Sequence, residues 1–135
     1  MVKTETLKKN YEFARLYKKG KFYAGRYLVI YVLTNNYGIN RVGITASKKV
    51  GKSVKRNRLR RLIKENYRRL EPCLKQGQDI VIVARKSEEL PDYYAIGKEM
   101  KYLFKKLDVL DKEAQNCSKD WWYIWLNYIK DIFLL

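Results

Sequence analysis

The chain contains no histidine, and only two cysteines occur among its 135 residues. Histidine is the commonest general base near neutral pH and a frequent metal ligand, so the usual acid–base and zinc chemistries lose their main instrument. Two cysteines cannot complete a tetrahedral zinc site by themselves, and no metal site in the protein is expected. Carboxylates are scarce too, 14 against 30 lysines and arginines. They are scattered, and none pairs on one face in a way that suits two-carboxylate catalysis. Long apolar runs are also missing. Met1 to Lys9 carries charge with no apolar stretch behind it, so no secretion signal is expected and the chain reads as cytoplasmic. In a reducing compartment Cys73 and Cys117 are expected to be ordinary thiols. The most apolar segment, Trp121 to Leu135, is interrupted by Asn127, Lys130 and Asp131. It falls short of the roughly 20 apolar residues a membrane helix needs, so no membrane partner is expected.

What remains is a large positive surplus, +16 on one small chain. A field of that sign attracts polyanions from a distance, which makes nucleic acid the default partner. Hydrophobic residues make up 47% of the chain, enough for the core of a single domain.

The apolar spacing gives the elements in order. Asn10 is placed to cap a short helix with Phe13, Leu16 and Tyr17 on one face, and Gly20 suits its end. Tyr27 to Leu33 reads as a strand, Asn35-Asn36-Tyr37-Gly38 as a turn, and Arg41 to Ala46 as a second strand. From Ser53 the period becomes helical, with Leu59, Leu62, Ile63, Tyr67 and Leu70 on one face until Pro72 stops it. Asp79 to Ala84 is short and β-branched, a third strand. Pro91-Asp92 opens a last helix striped by Ile96, Met100, Leu103, Phe104 and Leu107. The order α-β-β-α-β-α predicts an α/β (α+β) two-layer sandwich, a small mixed sheet with helices, over residues 1–110. Residues 111–135 form an aromatic C-terminal extension, read as a terminal helix packing on the domain or on a partner.

Three features bear on chemistry. Nine basic residues lie between Lys52 and Arg69. On a helix Arg56, Arg60 and Lys64 form one i, i+4 row, and Asn57, Arg61 and Arg68 a neighbouring one. Solvated helices usually mix signs to avoid such repulsion, so a row of guanidinium groups points to phosphate. The second feature is a set of aromatics among basic residues: Phe13, Tyr17, Tyr27 and Tyr31. Rings on an open surface stack unpaired bases, although core packing is the commoner use of such a stripe. The third is Ala46-Ser47-Lys48-Lys49-Val50-Gly51-Lys52-Ser53, a loose match to a nucleotide-phosphate loop. It lacks the first glycine, and no acidic residue ends the next strand to hold magnesium, so nucleotide hydrolysis is not expected.

The succession Arg41-Val42-Gly43-Ile44-Thr45, Ser47-Lys48-Lys49 and Arg56-Asn57-Arg58-Leu59-Arg60-Arg61 resembles the bacterial ribonuclease P protein family. The similarity runs from Leu7-Lys8-Lys9 through Phe13, Tyr17 and Tyr31 to Asp79–Arg85 and the helix ending near Leu107. The resemblance implies a left-handed β-α-β crossover, against the general right-handed preference. It implies a cleft for the single-stranded 5′ leader of precursor tRNA at Phe13, Tyr17, Tyr31, Thr45, Ser47 and Lys48. It further implies a surface for the catalytic RNA at Lys52, Arg56, Asn57, Arg58, Arg60, Arg61, Lys64 and Arg68. Cleavage would belong to Mg2+ bound mainly by that RNA, leaving this chain a non-catalytic protein subunit of an endoribonuclease with no obligate protein partner. A ribosomal or other structured-RNA-binding protein, with no part in tRNA processing, is the alternative that the basic helix alone allows.

Overall fold

The computed structural model describes residues 4–111. Its elements in chain order are β1 (Thr4–Thr6), α1 (Asn10–Lys19), β2 (Lys21–Ala24), β3 (Leu28–Thr34), β4 (Asn40–Ala46), α2 (Ser53–Leu70), β5 (Gln78–Ala84) and α3 (Tyr93–Lys106). The strands form one mixed sheet in the order β1-β4-β5-β3-β2. β4 is parallel to both β1 and β5, while β3 is antiparallel to β5 and β2. The three expected strands and three expected helices are all present; β1 and β2, the two edges, are additional.

Strand alternation distributes the side chains between two cores. Ile80, Ile82 and Ala84 of β5, with Leu28, Ile30 and Val32 of β3, point to the face covered by α2 and α3. There they meet Leu59, Ile63, Tyr67 and Leu70 of α2 and Ile96, Met100, Leu103 and Phe104 of α3. Val81 points to the opposite face, where Leu16 of α1 and Leu7 join it and Phe13, Tyr31, Leu33 and Val83 pack around them. Each fully buried large aliphatic or aromatic side chain is worth about 1.5–3 kcal/mol, so these cores, rather than the surface charge, hold the fold together.

Helix ends follow local chemistry, with two departures from expectation. Asp92 accepts a hydrogen bond from the Ala95 amide at 2.8 Å, the N-cap foreseen for α3. Asn10, in contrast, is the first helical residue of α1; the preceding Lys9 holds the cap position with no side-chain bond. Gly20 ends α1 in extended backbone, not in the left-handed region that favours glycine. Its requirement is space, because a Cβ there would lie 2.6 Å from the Leu16 carbonyl oxygen. The foreseen turn after β3 does place Gly38 at φ 71°. α2 gives way to a 3-10 turn, Glu71–Cys73, that contains Pro72. The buried Asn66 amide donates to the carbonyls of Leu62 and Tyr93, tying α2 to the start of α3.

Cys73 is buried and carries no free thiol, which corrects the expectation of an ordinary thiol there; that expectation rested on compartment and on the distance in sequence between the two cysteines. Cys117 and the aromatic segment Trp121 to Leu135 lie outside the described residues. Among the described residues, no helix is long and apolar enough to cross a membrane.

Candidate RNA-binding site

α1 packs on one face of the sheet, and close contacts fix it near both ends. Near its start, Phe13 lies over Gly43 of β4; a Cβ on that glycine would come within 2.5 Å of the ring, so only glycine lets the helix approach so closely. Near its end, the Tyr17 ring meets Tyr31 of β3 edge to face, 4.9 Å between centroids. Phe22 of β2 extends the group, 5.5 Å from Tyr31. Gly43, Val81, Tyr31 and Phe22 occupy one register row across four strands. The next row, Thr45, Val83 and Val29, is only half-buried and forms an open floor beside the helix. The result is a groove walled by Phe13, Tyr17, Tyr31 and Phe22. Phe22 and Tyr17 are well exposed, 62% and 45%, which marks them as ring surface available to a ligand rather than as core.

An ion network anchors α1 at the far end of this face. Arg41 donates from Nε and Nη2 to the two carboxylate oxygens of Asp79, at 2.8 and 2.7 Å, and from Nη1 to Glu12 of α1 at 3.0 Å. Asn35 donates to Asp79 as well, and the Arg41 guanidinium lies 4.4 Å from the Tyr37 ring centre. The hydrogen bond to Asp79 pushes the Arg41 pKa upward, overriding the downward pull of burial, so the cation is permanent. A bidentate pair this well buried fixes geometry as much as it stabilises.

Ser47 and Lys48 leave the end of β4 beside Thr45, and both are exposed. The chain then makes a 3-10 turn, Lys48–Val50, and enters α2 at Ser53. The Val50 and Gly51 amides bond back to the carbonyls of Ser47 and Lys48. They are therefore unavailable to cradle a phosphate, in keeping with the reading against nucleotide hydrolysis.

On the opposite side of the sheet, α2 buries Leu59, Ile63, Tyr67 and Leu70 and turns its basic residues outward. Lys52, Asn57, Arg58, Arg61, Lys64 and Arg68 are exposed; Arg56 and Arg60 are half-buried. Arg60 donates to the Asn57 side chain at 3.1 Å and to the Ala46 carbonyl at 3.3 Å, which holds the helix to the end of β4. Arg56 Nε is buried without a hydrogen-bond partner among the described residues. The first turn of α2 contains no acidic residue, so its positive dipole end adds to the field of Lys52.

The sequence reading thus has Phe13, Tyr17, Tyr31 and Thr45 on one face, with Ser47 and Lys48 following from the same strand, and the basic set on one helix. It missed Phe22, because the strand carrying it had no alternating pattern to reveal it. It also counted Arg56 and Arg60 as wholly outward. Among the described residues no group of three acidic or cysteine side chains is placed to hold a metal ion.

An aromatic groove on one face of the sheet and an exposed cationic helix on the other mark an RNA-binding protein. Comparison with known proteins narrows the class: the ribonuclease P family model matches residues 1–108. The ribonuclease P protein component of Natranaerobius thermophilus is 45% identical over 109 residues, covering 81% of this chain and 95% of that protein. That of Clostridioides difficile is 48% identical over 108 residues, covering 79% and 95%. Among solved structures, the Staphylococcus aureus RNase P protein superposes with a TM-score of 0.73 at 33% identity, covering 81% of this chain and all of that one. The Thermotoga maritima protein gives 0.68 at 30% identity, covering 76% and 96%. The chain belongs to the ribonuclease P protein family, the protein component of a tRNA-processing endoribonuclease. The structured-RNA alternative without a role in tRNA processing is thereby set aside.

Proposed function

We propose that the α1–sheet groove holds the single-stranded 5′ leader of precursor tRNA while the exposed side of α2 docks the catalytic RNA, whose bound Mg2+ performs the hydrolysis. The observation that carries this reading is the Ser47–Lys52 connection, which runs from the open floor of the groove directly into the cationic start of α2. A strand of RNA lying on Thr45, Tyr31 and Tyr17 leaves the groove beside the surface that meets the second RNA. Leader and catalytic RNA are then brought together by one rigid piece of protein, which lowers the entropic cost of their encounter.

The roles divide by chemistry. Tyr17, Tyr31 and Phe13 offer ring faces and edges to unpaired bases, which recognises single strands with little sequence preference. Thr45 and Ser47 supply hydroxyls and Lys48 a charge for the leader backbone. Lys52, Arg58, Arg61, Lys64 and Arg68 meet phosphates of the catalytic RNA, and Asn57 adds an amide among them. Arg56 and Arg60 support that surface from its inner side, Arg60 by fixing Asn57. The carboxylates nearest the groove, Glu12 and Asp79, are engaged by Arg41 and offer no cluster for a cation. In this reading Mg2+ is assigned mainly to the RNA.

Reconstitution tests the proposal. The purified protein is added to a bacterial ribonuclease P RNA at low magnesium, and cleavage of precursor tRNA is followed. Marked stimulation is expected, and an unchanged rate would overturn the reading.

A further inference from the structure

A second concavity lies on the other side of the sheet, where α2 overhangs the β1 edge. Its volume is about 600 Å³, within the range of small-molecule sites. The apolar part of the lining is Val42 and Ile44 of β4, both half-buried, with the edge of the buried Tyr67 beside them. Four cations of α2, Arg60, Arg61, Lys64 and Arg68, stand along one wall. Thr4 and Thr6 form the other wall, and Glu71 lies at the end. Among the described residues none of these four cations forms an ion pair, whereas Arg41 has two carboxylate partners. The cavity therefore combines unneutralised positive charge with an apolar platform. A phosphate backbone running past needs only the charge. An apolar floor beneath the charge fits an amphiphilic anion, one with a flat apolar body and a phosphate.

We propose that this cavity receives one unpaired nucleotide of the docked catalytic RNA, with its base over Val42 and Ile44 and its phosphate among Arg61, Lys64 and Arg68. The inference rests on the reading that α2 faces that RNA, and it adds a defined subsite to what would otherwise be a field of charge. The pocket is shaped before binding, since the Tyr67 hydroxyl meets Thr4 Oγ1 at 3.3 Å and pins the edge strand to the helix. Burial pushes the Tyr67 hydroxyl up to about 12, so it stays protonated and able to hydrogen-bond. Glu71 supplies an acceptor for a base N–H at the closed end.

The test uses the full-length protein with methyl-labelled valine and isoleucine, read by NMR, together with binding to a bacterial ribonuclease P RNA. AMP is expected to move the Val42 and Ile44 methyl signals, adenosine and inorganic phosphate each to move them less, and the catalytic RNA to move them at saturation. Thr6→Trp places a ring in the mouth of the cavity from an exposed strand position that accepts aromatics. It is expected to abolish the AMP response and to weaken RNA binding by about tenfold, the scale of losing one stacked base. Lys64→Glu, on the exposed helix surface, is the second variant if Thr6→Trp fails to fold, with loss of the AMP response expected. Arg58→Ala, outside the cavity, separates this inference from the docking reading. If Arg58→Ala weakens RNA binding and Thr6→Trp does not, docking stands and the subsite is overturned; if neither does, both fail. Methyl signals that respond to free AMP but not to the RNA would indicate a free-nucleotide site and likewise overturn the inference.

Discussion

On the α1 side of the sheet, the exposed groove is made of rings and hydroxyls, with Tyr31 in contact with both Tyr17 and Phe22. On the far side, α2 exposes lysines and arginines that no described carboxylate neutralises. In the proposed function the first surface works through stacking, which depends on fixed geometry and is little affected by salt. The second works through charge, which tolerates side-chain motion but weakens as ions compete. The groove is accordingly the better fixed of the two, by the Gly43–Phe13 approach at one point and the Arg41 network at another. Most of the α2 cations sit on a helix with no such restraint on their tips. Under the proposed function, a protein that holds a varied single strand and one constant RNA gains by this division.

The largest effect that breaks the comparison is expected from Arg41→Ala. It would leave Asp79, only 4% exposed, without its cationic partner and would release Glu12. Removing one member of a buried pair costs about 3–5 kcal/mol. Urea denaturation should show that loss, and a change below about 1 kcal/mol would mean that the network is not what fixes α1. Next in size is Tyr31→Ala, at the centre of the aromatic group. We expect leader-bearing precursor to bind more weakly by about 1–3 kcal/mol, with mature tRNA little affected; equal losses for the two would remove the leader from the groove.

A smaller change sharpens the contrast from the other side. Arg61→Ala should reduce the salt dependence of assembly with the catalytic RNA by about one unit of slope for each phosphate no longer neutralised, measured as binding constant against ionic strength. Tyr31→Ala should leave that slope alone, and the opposite assignment of slopes would invert the division between the two surfaces. The smallest effect is Phe22→Ala. Its ring is 62% exposed at the sheet edge, so the expected loss of leader affinity is at the low end, about 1 kcal/mol. No measurable change would restrict the groove to Tyr17 and Tyr31.

Much of this arrangement was legible in the sequence, and the exceptions share a cause. β3 and β5 carry nearly continuous apolar runs because helices pack on both of their faces, and α2 and α3 keep clear helical stripes with Pro72 and Asp92 as punctuation. β1 is Thr-Glu-Thr, with no apolar residue, and all four residues of β2 are exposed. Edge strands of this kind are held by backbone pairing, which leaves no hydrophobic pattern to read. Phe22 and the cavity beside β1 were hidden for the same reason, since each depends on an edge. The aromatic stripe of α1 was ambiguous between core and ligand surface. Three-dimensional placement resolves it residue by residue: Leu16 is fully buried, Phe13 half-buried and Tyr17 exposed. The partial burial of Arg56 and Arg60 was illegible because it depends on where the helix meets the end of β4.

β5, at the centre of the sheet, shows most plainly how neighbouring residues of one strand answer to different surfaces. Asp79 and Val81 face α1 and its groove, while Ile80 and Ile82 lie under α2 and α3. Substitutions at these positions across related proteins should therefore vary with a period of two. Changes at 79 and 81 should be accompanied by changes in α1, and changes at 80 and 82 by changes in the helices opposite. A single seven-residue strand would then carry two interleaved evolutionary records, one for each face of the sheet that it supports.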